Sequence, residues 1–205
     1  MSKEYNLDVE RAREEFERIF TANIKREGAT ALLEWLKKSD FFTAPASTRH
    51  HSAFEGGLCL HSVNCYNRLL NNVINEYGED FQSVVSDESI AIMGLLHDIC
   101  KTNFYKEDLR NVKVNGIWEQ QPYYTIDDSL PYGHGEKSVY MISGFMKLTR
   151  EEAMAINWHM GGFDTRVVGG GSGAMAQAYY DFPMCVLLHI ADIQATYLDE
   201  KVERK

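Results

Sequence analysis

The chain has 205 residues, 44% hydrophobic and 25% charged, with a formal net charge of -9. That length predicts one compact domain, 1–205, with a substantial core, and the composition is ordinary for a globular protein. The acidic balance disfavours tight, charge-driven binding to long nucleic acid, which rests on many Lys and Arg contacts to phosphates, so no long duplex partner is expected. A small nucleotide or a short oligonucleotide remains compatible where a cation supplies local positive charge.

No stretch approaches the ~18 apolar residues of a membrane span, and Met1-Ser2-Lys3-Glu4-Tyr5 opens no apolar signal region. A cytoplasmic protein without membrane contact is expected, either monomer or homodimer. Cys59, Cys65, Cys100 and Cys185 form no CxxC pair and read as buried free thiols.

In chain order, Asn6 or Asp8 is expected to cap a helix running to about residue 26, with Ala12, Phe16, Ile19 and Phe20 on one face. Gly28 ends it. Thr30 to Lys38 reads as a second helix bearing Leu32, Leu33, Trp35 and Leu36, so residues 6–38 pack as helices on a core of about 50–199. After a loop at Thr43–Ser47, Gly56-Gly57 lead into a long helix to about Tyr77. Ser86 or Asp87 caps the next, which carries Ile90 to Leu96 and ends at His97-Asp98. The one strand-like region is Asn111 to Asp127, where Asn115-Gly116 between two β-prone runs signals a hairpin turn, within an insert of about 103–127. Three helices follow. One opens near Gly133-His134, one carries the capping box Thr149/Glu152, and one runs from about Phe182 to Lys201 after the glycine-rich run 169–173. The fold class expected is all-α with a small β-hairpin insert.

His97-Asp98 carries the most chemical information. It closes an apolar run, where an imidazole and a carboxylate cost free energy unless something compensates them, and a divalent cation does so well. Asp192 poses the same problem, since it interrupts Val186 to Ala191. His61, His134 and His159 are further candidates. Singly, His61 or His159 reads as a satisfied helix histidine. Jointly the six suggest a centre for one or two ions of Mn, Fe, Ni, Co, Mg or Zn.

The order His61, His97-Asp98, His134, His159, Asp192 resembles the HD superfamily of metal-dependent phosphohydrolases, and His97-Asp98-Ile99-Cys100-Lys101 matches its HDxxK form. The likeness is closer to HD domains of the bacterial 3'-5' exoribonuclease type. His50 to His61 resembles that group's "HHA…GGLLEH" stretch, and Leu188-His189-Ile190-Ala191-Asp192 its "LH.AD" stretch. The resemblance implies an HD-type helical bundle. It implies a minimal metal site of His61, His97, Asp98 and Asp192, with His134 and His159 added for two metals and Asp98 as the bridge. The oligonucleotide-binding domain that precedes the exoribonuclease HD domain has no room before His50, and the GYP motif of cyclic-di-GMP phosphodiesterases is missing, so neither long RNA nor cyclic-di-GMP is expected as substrate.

The reaction expected is cleavage of a phosphoester by a metal-activated water. Asp98 bridges or orients, Lys101 neutralises phosphoryl charge or is a solvated helix end, and His51 contacts substrate or donates to the leaving oxygen. His189 reads as core or as support for a ligand. Arg166 and the glycines at 169–173 read as a flap, and Trp118, Tyr123 and Tyr124 as hairpin packing or a base-stacking surface. A di-iron oxygenase is one alternative, because the ligand set alone does not separate it from a hydrolase, though Lys101 favours phosphate; a non-catalytic nucleotide sensor is the other, against which the complete ligand set argues.

Overall fold

Helix-forming sequence on both sides of one hairpin sets the architecture. The structure, a computed structural model, describes residues 3–200. Those residues are mainly helical, with one two-stranded antiparallel sheet. Before the sheet come α1 (Lys3–Asn23), α2 (Ala29–Lys38), α3 (Gly57–Tyr77) and α4 (Asp87–Leu96). The strands are β1 (Tyr105–Val114) and β2 (Ile117–Ile126). After them come α5 (His134–Ser143), α6 (Arg150–Trp158), α7 (Ser172–Asp181) and α8 (Pro183–Gln194).

The apolar faces read from the sequence meet in one contiguous cluster. Phe16, Ile19 and Phe20 of α1 and Leu32, Leu33 and Leu36 of α2 are buried in it, while Trp35 is partly buried against it. Full burial of each such side chain stabilises by about 1.5–3 kcal/mol over exposure. Every residue of α4 from Ile90 to Leu96 is buried, as expected of a helix that is apolar all round. It packs on α1, α3 and α6, and α3 and α6 pack in turn on α8. Gly94 permits the closest of these approaches. A Cβ there would sit 2.6 Å from the Tyr66 Cα, so the α3 and α4 backbones come together where only hydrogen fits. That approach brings the His61 helix against the end of the His97 helix.

Several boundaries differ from expectation. The first helix already runs through Asn6 and Asp8, so neither caps it; Lys3, Glu4 and Leu7 favour helix and no breaker follows them. It ends at Asn23 because the Lys25 and Arg26 backbone N–H groups leave the helix and donate to Glu88 Oε1, at 2.7 and 3.0 Å. Ser86 caps α4, accepting from Ser89 N, and the Thr149/Glu152 capping box is formed. The hairpin turn is at Asn115-Gly116, both in the left-handed region at φ 50° and 87°, as a two-residue primed turn requires. Its strands begin earlier than Asn111, because Tyr105 to Arg110 pair with Gln121 to Ile126.

The glycine-rich run leads into a helix, α7, that the sequence reading did not contain. Ala174, Met175, Ala176 and Ala178 favour helix enough to outweigh Gly173. The last helix opens with Pro183 at its first turn, and beyond Gln194 a wider π-type turn, Ala195–Asp199, continues it. Its expected end at Lys201 lies outside the described residues.

Candidate metal centre

Five elements deliver the six candidate ligands. His61 comes from α3, His97 and Asp98 from the end of α4, His134 from the start of α5, His159 from just beyond α6, and Asp192 from α8. All six converge. His61 Nε2 lies 3.2 Å from His97 Nε2, 3.2 Å from Asp192 Oδ1 and 3.5 Å from Asp98 Oδ2. Asp98 Oδ2 is also 3.7 Å from His97 Nε2. Its other oxygen faces His134 Nε2 at 2.7 Å and His159 Nε2 at 3.5 Å. Each oxygen of Asp98 therefore faces its own pair of imidazoles.

Acceptors behind the rings fix which nitrogen carries hydrogen. His97 Nδ1 donates to the Gly94 carbonyl at 2.9 Å and His159 Nδ1 to the Ile156 carbonyl at 2.7 Å. His61 Nδ1 donates to Glu200 Oε1 at 3.0 Å. Carbonyls and carboxylates only accept, so the Nε2 atoms of these three residues are the ones turned toward the centre. Two such nitrogens facing each other at 3.2 Å require a positive species between them, a proton or a cation. Nitrogens bound at about 2.0–2.1 Å to one ion are themselves about 3 Å apart. His159 Nε2 is buried without a hydrogen-bond partner, an arrangement that costs about 1–3 kcal/mol unless a ligand takes the lone pair. Imidazole and carboxylate donors together suit borderline divalent ions. The residues thus fit a metal. His61, His97 and Asp192 form one group whose ligand atoms lie within 4.8 Å of one another, and His97, Asp98 and His159 form a second.

Without a cation, protons would have to balance the same charges. Burial opposes a charge on His61, but Glu200 and Asp192 outweigh it and raise the pKa to about 10. Burial is likewise outweighed at His134, by the Cys100 sulfur and Asp98, again to about 10. Burial wins at His97, which falls to about 3, and at His51, which falls to about 4. At Asp98 burial is overcome by Lys101, His97 and His134, which hold its carboxyl well below the usual range. His61 does the same for Asp192.

Lys101 is not a solvated helix end. The chain leaves α4 at Asp98 and makes a tight 3-10 turn, Ile99–Lys101, which folds the ammonium back to 2.6 Å from Asp98 Oδ2. His51 sits against the cluster, its ring centroid 4.8 Å from that of His61 and its Nε2 buried without a partner. His50 is exposed beside it. His189 braces a candidate ligand: its Nδ1 donates to the His159 carbonyl at 2.6 Å. Arg166 does not hang free as a flap. Its guanidinium is bound by Asp164, Glu136 and Asn157 and lies 4.0 Å over the Trp158 ring. Trp118 is exposed near the hairpin tip, next to Lys113, and Tyr123 pairs with Arg110.

Two neighbours of the centre were not found by sequence reasoning. Glu200, with a side chain only 2% exposed, hydrogen-bonds His61. Cys100 is a buried free thiol, as expected, but its sulfur also lies 3.4 Å from His134 Nδ1. Glu200 reads in the sequence as part of a charged tail, and Cys100 as one more small apolar residue. Comparison with protein-family models, curated proteins and solved structures gives no match to this chain.

Proposed function

We propose that this chain is a metal-dependent phosphohydrolase of the HD type, cleaving a phosphoester of a nucleotide or short oligonucleotide. The observation that carries the reading is Asp98, whose two oxygens each face a separate pair of histidines while Lys101 closes on one of them. His61, His97 and Asp192 would hold one ion and His134 and His159 a second, with Asp98 shared. When bound, such ions lower the pKa of a coordinated water and grip phosphoryl oxygens. The chain's own residues do the rest. Lys101 offers a fixed ammonium, and Asp98 holds it there, where charge develops on the phosphoryl group. His51, kept neutral by burial, has a free Nε2 for substrate or the leaving oxygen. The only ligand side chains with noticeable exposure are His134 at 29% and Asp192 at 16%, so substrate would reach the cluster past one of these two.

The test is a panel of monoesters, diesters and nucleoside triphosphates, assayed with Mn²⁺, Ni²⁺, Co²⁺ and Mg²⁺. Release of phosphate or nucleoside is expected, and Asp98→Ala should abolish it and reduce metal content together. Inactivity across the panel by a metal-replete protein sinks the hydrolase reading. Tight nucleotide binding without turnover would then identify a sensor. Iron content with a mixed-valence paramagnetic resonance signal and oxygen uptake would identify an oxygenase.

A further inference from the structure

Glu200 occupies a position that the proposed chemistry leaves unexplained. A buried carboxylate is costly unless its charge is compensated, and among the described residues its one ion-pair partner is His61. Its partners are His61 Nδ1 at 3.0 Å, Asn64 Nδ2 at 3.1 Å and the Ser52 hydroxyl at 2.7 Å. His61 and Asn64 belong to α3, whereas Ser52 belongs to the loop that carries His51. That loop is tightly seated. Ser52 adopts a left-handed backbone at φ 45°, and a Cβ on Gly57 would lie 2.0 Å from the Ser52 carbonyl oxygen. In an unbroken α-helix, Glu200 would be about 80° around the axis from Asp192. The wider turn at Ala195–Asp199 advances fewer degrees per residue and swings it back toward the His61 side.

We infer that Glu200 is a positioning residue, fixing the His61 ring from behind and fastening the His51 loop to it. The inference rests on the metal-centre reading above only for its metal-binding arm. Glu200→Ala, Glu200→Gln and wild-type full-length chain would be titrated with Mn²⁺, followed by paramagnetic resonance. Glu200→Ala should weaken Mn²⁺ binding about 10–100-fold, the usual effect of removing such a partner. Glu200→Gln should stay within a few-fold of wild type, because its amide oxygen still accepts from His61 and Asn64. Wild-type affinity in Glu200→Ala, or an equal loss in both variants, overturns the positioning role. Nitrogen-15 NMR of the His61 ring gives an arm that needs no metal. The hydrogen-bonded Nδ1 proton should be present in wild type and Glu200→Gln and released in Glu200→Ala. If wild type takes up no Mn²⁺, the metal reading fails, yet this spectrum still decides the role of Glu200, and an unchanged His61 ring overturns it. Should Glu200→Ala not fold, Ser52→Ala should shift the same Nδ1 proton resonance, and no shift overturns the proposal.

Discussion

In the presence of chelator, the stability of this protein should peak near pH 6.5 and fall on both sides. Four imidazoles set this shape. His61 and His134 have folded pKa values of about 10 against an ordinary 6.5. Their contribution is fully present below 6.5 and is lost as pH rises toward 10, because the folded state holds protons the unfolded chain has released. His97 and His51, at about 3 and about 4, act oppositely. Their contribution is present above 6.5 and is lost as pH falls, because the unfolded chain takes up protons that the buried rings refuse. Each proton of difference changes stability by about 1.4 kcal/mol per pH unit, so either pair gives at most about 2.7 kcal/mol per unit. From about pH 7 to about pH 8.5 the metal-free chain should lose up to about 4 kcal/mol by this measure. A divalent ion replaces the proton on His61, so saturating metal should abolish or reverse the alkaline loss and release protons on binding. Urea unfolding followed by circular dichroism, with chelator and with Mn²⁺, measures both curves. A metal-free stability that is flat or rising between pH 7 and 8.5 would refute the protonation scheme.

Two further outcomes follow from specific contacts. Lys101→Met should lower turnover about 10²–10³-fold while metal content, measured by elemental analysis, stays at the wild-type level, because the ammonium contacts Asp98 without being a ligand; a variant with unchanged turnover removes Lys101 from the chemistry. Arg26→Ala should destabilise the fold by about 3–5 kcal/mol in urea unfolding, since it strands the buried Glu152 carboxylate that Arg26 grips with two nitrogens at 2.8 Å. The exposed Arg18–Glu15 pair is the control, and Arg18→Ala should not move the midpoint measurably.

The parts of this molecule that follow a local rule were readable in advance. The Asn115-Gly116 turn, the Thr149/Glu152 box and the apolar faces of α1 to α4 each depend on neighbours within a few residues, and each formed as expected. The six candidate ligands were legible for a different reason: polar groups inside apolar helices need compensation, and here they compensate one another. What escaped depended on register over longer distances. Glu200 reaches His61 only because a π-type turn changes the helix phase. Helix α7 was missed because three consecutive glycines look like a breaker when the alanines after them are not weighed.

The candidate ligands run from residue 61 to residue 192, across every helix after α2 except α7. No fragment holds more than a few of them, so the gathering of donors waits until distant helices have docked. Closing such long loops is slow and entropically expensive. Ion capture should thus be among the last events of refolding, and a cation, once seated, would close residues 61–192 into a single ring that neither end of that segment could leave alone.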